Sequence, residues 1–365
     1  MKTKFLNSGL FLTVFALFGV GLVQVYSSSF IFATESFGDG HYFFRRQLIF
    51  TFVALVALVA MTQIPLSLLK KYGPIIFLGS VAALLLTFIP GLGVRVGGAQ
   101  RWIQLPFGSR FEPSEVLKLT YALFLSCMVV RHETVFKNVK AGWQFIIYMI
   151  PLFLLLKQPD FGAVVIILLI SISIIYVLGA SLRWLAAGFL GILPVLYFLV
   201  WQVPYRRARL QTFIDPWSDP EQKGFQVIQS MLSIHSGGLT GQGLGQGQGK
   251  LFFLPEAHTD FTMAVLGEEM GFLGIVFLIL VYGFLIFRGF QISIQTQDNF
   301  KKYLSLGLIL SFSFAVFINI GVVTGLLPTK GLTMPFMSYG GSSLLAQSIL
   351  FGLLINIEMS EKNIG

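Results

Sequence analysis

Ten apolar runs divide this 365-residue chain, and most of them are long enough to cross a lipid bilayer. They lie at about 9–29, 47–68, 73–90, 113–130, 142–157, 161–179, 184–202, 261–287, 303–326 and 335–357. Hydrocarbon offers the backbone no hydrogen-bond partners, so runs of this length are predicted to be helices. Only 11% of the residues are charged, against roughly a quarter in a soluble domain. The sequence therefore predicts an all-α polytopic membrane protein with ten transmembrane helices.

The short loops predict the direction in which the chain crosses the membrane. With the N-terminus in the cytoplasm, the basic short loops lie there too, as the positive-inside rule requires. Two longer loops, at about 91–112 and 203–260, then face the outside, the second of them between helices 7 and 8. We expect a single membrane domain over residues 1–365, with no soluble appendage.

The predicted outer face is also basic, and Arg110 and Lys330 are examples. Long loops cross largely regardless of charge, so simple tolerance is one explanation. The other is that these cations meet an anionic substrate such as a phosphate or pyrophosphate. The sequence leaves both interpretations open.

Ionisable residues occur at the predicted outer ends of several spans. In EPSEVLK, Glu115 and Lys118 are three residues apart and share one helix face, so they can pair. A helix N-terminus alone would account for Glu115 but not for Lys118, which lies a turn deeper. An intramembrane lysine beside a glutamate indicates a polar cavity. In KQPDFG, Asp160 either caps the sixth helix or belongs to the same cavity.

The segment KLFFLPEAHTDF lies directly before the eighth apolar run. It places Asp260 at a membrane entrance, where a carboxylate is costly unless it has a function; a helix cap is the alternative. Glu256 and His258 are either part of a site or solvated loop residues. The glycine-rich stretch from Gly237 to Gly249 is either flexible or tightly turning, and its sequence context does not fit a phosphate-binding P-loop.

The segment LPTKGLTMPFMSYGGSS leads into the tenth run. Pro335 and the glycine pair after it predict a broken helix entry of the kind that lines a cavity. The serines of this segment, Ser342 among them, either face that cavity or bond back to their own helix. Lys330 either faces the site or extends toward the interface. A single cysteine and four scattered histidines make a structural zinc site improbable.

These motifs, together with AQRWIQLPFGSRFEPSEVLKL and RRARLQTFIDPWSDPEQKGF, resemble the SEDS family, the membrane glycosyltransferases of cell-wall synthesis. The resemblance runs from the first span to the last and is greater to the division-associated branch than to the elongation-associated branch. It implies ten transmembrane helices, the bacterial cytoplasmic membrane, and a location at the division septum. It also implies polymerisation of lipid II into β-1,4 glycan strands by an inverting transfer from a lipid-pyrophosphate sugar donor.

The resemblance further implies a set of site residues and partners. The essential aspartate falls on Asp260, which we expect to be the catalytic base. The candidates for substrate binding are Arg110, Glu115, Lys118, Asp160, Trp102, Glu256, His258, Lys330 and Ser342. A divalent cation, Mg²⁺ or Mn²⁺, is an open candidate with Asp160 or Asp260 as ligand, although no motif establishes a metal site. The expected partners are lipid II, a class B penicillin-binding protein transpeptidase, other division proteins and the bilayer, and no nucleic acid.

Two other functions fit ten helices with internal charges. A lipid II flippase would carry ionisable groups through the full depth of the membrane, and Glu268 and Glu269 keep that alternative open. A non-catalytic division scaffold would leave Lys118, Asp160 and Asp260 without a purpose.

Overall fold

The computed structural model describes residues 6, 8–96, 98–131, 149–183, 213–220, 224–249, 254–329 and 331–362, with isolated residues between 186 and 201. Seven of its helices are long and apolar enough to cross a membrane. They are α1 (Gly9–Phe37), α2 (Tyr42–Met61), α3 (Leu66–Leu86), α4 (Pro113–Arg131), α8 (Thr262–Gln295), α9 (Asn299–Val323) and α10 (Gly341–Lys362). The remaining described helices are α5 (Ile150–Lys157), α6 (Phe161–Val177) and α7 (Phe225–Ser236).

The predicted helical membrane architecture is confirmed, while several helix boundaries differ. Helix α1 extends to Phe37, well beyond the apolar run, and ends where Gly38 adopts φ 71° and donates its N–H to the carbonyl of Thr34. That left-handed cap, rather than hydropathy, sets the end of the helix. The predicted fifth span is described from residue 149 onward, and most of the predicted seventh, at 184–202, lies outside the described residues.

The first long loop corrects the expectation of an all-α chain. Strands β1 (Gly93–Val96), β2 (Ala99–Gln104) and β3 (Arg110–Phe111) form an antiparallel sheet in that order. Val94 faces Trp102 across the first pair of strands. The β-branched and aromatic residues here favour strands, and pairing satisfies backbone groups that a loop at the membrane surface would leave open. This sheet positions Arg101 and Trp102.

Helices α4 and α9 form the centre of the molecule. Most residues of both are buried, whereas α1, α2, α3 and α8 expose apolar faces outward, as helices that contact lipid do. Helix α9 packs on α4, α6, α8 and α10. Gly307 of α9 permits the close approach to α4, because a Cβ there would lie 2.8 Å from that of Ala122. Buried polar residues on α4 are therefore enclosed by protein rather than by lipid.

The glycine-rich segment, residues 237–249, is tightly turned, and it supplies hydrogen bonds to the backbone where α8 is interrupted. Gly271 has φ 66° and ψ −167°, which interrupts the helical hydrogen bonds. The segment replaces them. The N–H groups of Phe272 and Leu273 donate to the carbonyls of residues 238 and 239, and the carbonyls of Glu268 and Glu269 accept from residues 242 and 243. Backbone at membrane depth is thus satisfied by another segment of the chain.

Candidate functional site

Helices α2, α4, α6, α8 and α10 begin at the same end of the molecule, and the polar motifs lie at the starts of the last four. Glu112 precedes α4, Asp160 precedes α6, Asp260 precedes α8, and Ser342 is the second residue of α10. The starts of α4 and α10 are joined directly, because the backbone N–H of Glu112 donates to Oγ of Ser342 at 2.9 Å. The positive ends of four helix dipoles therefore meet in one region, which favours anionic groups there.

Asp260 is partly exposed, and its backbone carbonyl accepts a hydrogen bond from α9. Nδ2 of Asn319 on α9 donates to the carbonyl of Asp260 at 3.1 Å and to that of Leu332 at 2.6 Å. A single amide thus joins the two segments that precede α8 and α10. The N-cap residue of α8 is Phe261, which directly follows Asp260 and makes no side-chain capping bond. The carboxylate lies beside Gly331, where a Cβ would be 3.4 Å from Oδ2.

The predicted pair on α4 is confirmed. Nζ of Lys118 lies 2.8 Å from Oε1 of Glu115, and the two residues are 3% and 7% exposed. Each charge would be costly to bury alone, and the short contact between them offsets that cost. A second buried polar contact lies nearby on α4, where the hydroxyl of Thr120 is 2.6 Å from that of Ser80 on α3.

Glu112 is a third carboxyl in this region that the sequence analysis did not select. Ser114 Oγ donates to its Oε1 at 3.2 Å. The pKa of Glu112 is raised to about 8, first by burial and then by the nearby carboxylates of Asp160 and Glu115, against the opposing effect of Arg101 and Lys118. These surroundings thus favour the neutral form of the carboxyl. The signal for it was its place in EPSE, immediately before a buried helix.

Asp160 has the capping role that was one of its two interpretations. Its Oδ1 accepts the N–H of Ala163 at 3.2 Å, at the start of α6. Its charge still reaches the cluster, since it contributes to the raised pKa of Glu112. The turn before it is fixed by Gln158, whose amide donates to the carbonyl of Leu84 at 3.3 Å and to the hydroxyl of Thr87. Capping and membership of the cluster are therefore compatible.

His258 lies in an aromatic enclosure rather than among the carboxylates. Its ring stacks on Phe32 at 5.3 Å and contacts Phe43 at 4.7 Å, and its carbonyl accepts the N–H of Tyr339 at 2.8 Å. Burial lowers the pKa of His258, while Glu256 acts in the opposite direction. Glu256 itself is exposed, with Oε2 accepting from Thr259 Oγ1 at 2.8 Å. These contacts locate both residues beside the Asp260 segment without giving them a reacting partner.

The remaining predicted residues occupy different positions around the site. Arg110 is exposed on β3 and lies near Tyr339. Burial raises the pKa of the Tyr339 phenol, while the charges of Arg46 and Arg110 act in the opposite direction. Trp102 is half-buried on β2. Ser342 bonds the Glu112 backbone instead of its own helix. Lys330 lies outside the described residues.

The two glutamates deeper in α8 have structural contacts. Glu268 accepts the N–H groups of Gln248 and Gly249 at 2.7 and 3.0 Å, which anchors the end of the glycine-rich segment. Glu269 accepts the hydroxyl of Ser27 on α1 at 2.5 Å. The contacts of Glu268 give this mid-membrane carboxylate a structural role that needs no transport path.

Within the described ranges, no group of three His, Cys, Asp or Glu side chains is arranged to hold a metal ion. The nearest carboxylates are committed to other contacts, Asp160 to its helix and Glu115 to Lys118. The described residues therefore hold no site built from three protein ligands, and a divalent cation shared between one carboxylate and the substrate pyrophosphate stays a prediction.

Comparisons with known proteins agree with this architecture. Residues 8–363 match the FTSW_RODA_SPOVE family model, described as "Cell cycle protein". A protein of Geobacter metallireducens named "Probable peptidoglycan glycosyltransferase FtsW" is 40% identical over 344 residues, covering 94% of this chain and 92% of its own. One of Halorhodospira halophila with the same name is 41% identical over 347 residues, covering 92% and 86%.

Two solved structures share the fold over nearly the whole chain. One is described as "Structural coordination of polymerization and crosslinking by a peptidoglycan synthase complex", with a TM-score of 0.78, 27% identity and 97% coverage of both chains. The other is the rod shape determining protein RodA of Thermus thermophilus, with a TM-score of 0.69, 25% identity and coverage of 97% and 96%.

The chain is thus a multi-pass membrane protein of the FtsW/RodA/SpoVE family, which confirms the resemblance stated from the motifs. The curated relatives above carry the FtsW name, in agreement with the division-associated branch.

Proposed function

We propose that this protein polymerises lipid II into β-1,4 glycan strands at the outer face of the bacterial cytoplasmic membrane during cell division. The observation that carries the proposal is Asp260: a partly exposed carboxylate at the membrane end of a loop, held through its backbone by Asn319. A general base needs this combination of access and fixed position. The names of the curated relatives support the same activity.

The chemistry follows from the substrate. The acceptor's 4-hydroxyl oxygen forms a bond to the anomeric carbon of the donor, and the bond from that carbon to the lipid pyrophosphate breaks. Asp260 takes the hydroxyl proton, and the pyrophosphate leaves as an anion that needs no proton. One displacement inverts the α-linked donor to a β-linkage, so a second carboxylate is not required as a leaving-group acid. The helix N-termini around the site stabilise the departing negative charge.

The proposal includes the full topology. Ten transmembrane helices would place residues 203–260 between helices 7 and 8 on the outside, and the starts of α4, α6, α8 and α10 would face outward together. The sheet and the glycine-rich segment then belong to the outer half of one membrane domain spanning 1–365. The basic outer loops would meet the anionic lipid substrate.

The proposed protein partner is a single-span class B penicillin-binding protein transpeptidase at the septum. Helix α8 exposes Phe272, Phe277, Phe284 and Phe287 along one broad face. A second transmembrane helix can pack on such a face, and so can lipid. The related peptidoglycan synthase complex coordinates polymerization with crosslinking, and crosslinking is the reaction of a transpeptidase, which supports such a partner here.

The test is glycan-strand formation from lipid II by purified protein, with the cognate transpeptidase added. Asp260→Asn removes the base while keeping the side-chain shape, and we expect polymer from the wild type and none from the variant. Asp39→Asn, which changes another outer-end carboxylate paired with Arg45, is the matched control and should keep its activity. Full polymerisation by Asp260→Asn would refute the assignment. Lipid II crossing vesicles without polymer would support a flippase instead.

A further inference from the structure

Arg101, which the motifs did not single out, lies close to Asp260. Around Gly331, a Cβ would lie 3.4 Å from Oδ2 of Asp260 and 3.8 Å from Nη1 of Arg101. Gly331 has φ 64°, a backbone conformation that favours glycine, and both the carboxylate and the guanidinium lie on the side of Gly331 where a Cβ would be. The two charged groups therefore border the same small space.

Arg101 is fixed by the turn between α5 and α6. Its Nε donates to the carbonyl of Gln158 at 3.3 Å, and its Nη2 donates to that of Pro159. Gln158 is in turn bonded to the end of α3. Two of the three guanidinium nitrogens are thus held by backbone carbonyls, and the third, Nη1, is directed to the space beside Asp260.

The other candidate cations are less suited to receive an anion at this point. Lys118 is buried and neutralised by Glu115 at 2.8 Å, so binding a phosphate would require breaking that pair. Arg110 is exposed and lies near Tyr339 and Arg46, in the direction of α2. Arg101 combines a fixed position, partial burial and a nitrogen directed into the site, which are the properties of an oxyanion-binding group.

We propose that Arg101 binds the pyrophosphate of the lipid-linked donor, with Nη1 contacting a phosphate oxygen in the space that it shares with Asp260. Asp260 then accepts the proton of the acceptor hydroxyl, and Arg101 stabilises the negative charge of the departing pyrophosphate. This inference rests on the proposed function, but it concerns binding and can be measured without turnover.

The experiment measures binding of undecaprenyl pyrophosphate, and separately of undecaprenol, to purified protein in detergent. Arg101→Gln should weaken binding of the pyrophosphate lipid by about tenfold or more and leave undecaprenol unchanged, because only the anion loses a charged donor. Arg101→Lys should lose part of that affinity. Arg95→Gln, on the neighbouring strand β1 and exposed, is the matched control and should bind both lipids as the wild type does.

Two results would overturn the inference. Unchanged binding of the pyrophosphate lipid by Arg101→Gln would exclude the contact. Equal loss for both lipids would show that Arg101 only supports the turn at Gln158. If Arg101→Gln does not fold, Arg101→Lys, which keeps the charge, decides by the same comparison of the two lipids. Failure of the wild type to polymerise lipid II would refute the proposed function and leave this binding result interpretable.

Discussion

The two ends of the membrane helices use charged residues in opposite ways. At the end opposite the site, charges neutralise each other: Glu358 accepts from Ser8, Arg288 and Lys362 at 2.7–2.8 Å, which ties α1 and α8 to α10. At the site end, backbone contacts fix Asp260 through its carbonyl and Arg101 through two of its guanidinium nitrogens. Mutual neutralisation stabilises helix packing, whereas backbone tethering positions a charged group toward a substrate.

This contrast gives substitutions at the two ends different expected effects. Changes at the site end should reduce activity more than stability, and changes at the opposite end should do the reverse. Two pairs at the site end are exceptions, because their charges neutralise each other: the exposed pair Asp39–Arg45 and the buried pair Glu115–Lys118. The buried pair gives a test of the comparison.

The largest effect is expected for a change beside the two reacting groups. Gly331→Ala places a methyl group next to Asp260 and Arg101 and forces alanine into φ 64°. Loss of base and leaving-group contacts should lower polymerisation by about 10²–10⁴-fold, measured as lipid II turnover. Strain at this φ costs on the order of 1–3 kcal/mol, so a lower melting temperature should accompany the loss. Gly283→Ala, a helical position of α8 with open space around it, is the control. Near-normal turnover by Gly331→Ala would contradict the arrangement.

The buried pair at the site end predicts a large stability effect. Glu115→Gln leaves the ammonium of Lys118 buried without its carboxylate, and Lys118→Met leaves the carboxylate without its cation. Each single change should destabilise the fold by about 3–5 kcal/mol, measured as thermal unfolding in detergent. The double variant should recover most of that stability, because no unpaired charge is left. A double variant as unstable as the sum of the single ones would show that the pair contributes through other contacts.

The pH dependence of the site follows from Glu112. Its pKa is raised from 4.5 to about 8, so the folded protein favours the neutral carboxyl. The stability this contributes is present below the unfolded value and is lost as the pH rises through about 8. Ionisation also adds negative charge beside Asp160 and Glu115, which should weaken binding of an anionic donor.

We therefore expect lipid II turnover by the wild type to fall above about pH 8. Glu112→Gln imitates the neutral form and should keep its turnover through that range. Turnover is measured from pH 6.5 to 9 with both proteins, with the melting temperature at each pH as the control for unfolding. An identical alkaline decline in both proteins would assign the titration to another group.

The sequence predicted the helices and the site to different extents. Hydropathy identified the seven long helices because lipid imposes a composition on them. The spacing of Glu115 and Lys118 predicted their pairing because a helix brings i and i+3 together. No local pattern distinguishes Arg101 from Arg110 as the arginine that binds the pyrophosphate. That choice depends on which carbonyls Arg101 meets, and those belong to Gln158 and Pro159, far along the chain.

Asn319 and the glycine-rich segment show the same limit. An amide within an apolar helix signals a buried role, but only the fold shows that it joins Asp260 to Leu332. Glycines indicate a turning backbone. The sequence does not show, however, that this segment hydrogen-bonds the interrupted backbone of α8 at Gly271. Local patterns predicted the long helices but not the three-stranded sheet, and contacts distant in sequence determined the site.

At the opposite end, Glu358→Gln should lower stability with little change in turnover. The carboxylate is 6% exposed and accepts three hydrogen bonds, two of them from cations. The amide cannot accept from all of these donors, and a hydrogen bond to a charged group contributes about 1.5–3 kcal/mol. Thermal unfolding and lipid II turnover are measured on the same preparation. A loss of turnover with unchanged stability would contradict the separation of the two ends.

The smallest effect is expected at a more exposed pair on the same end. Nζ of Lys301 lies 2.9 Å from Oε1 of Glu361, joining α9 to α10, and both side chains are partly exposed. Water and salt screen such pairs, so Glu361→Gln should cost at most about 1 kcal/mol and leave turnover unchanged. The difference in melting temperature from the wild type should shrink between 50 mM and 1 M salt. A loss as large as that of Glu358→Gln, or one that persists at high salt, would mean that burial does not separate the two contacts and that the whole end acts as one network.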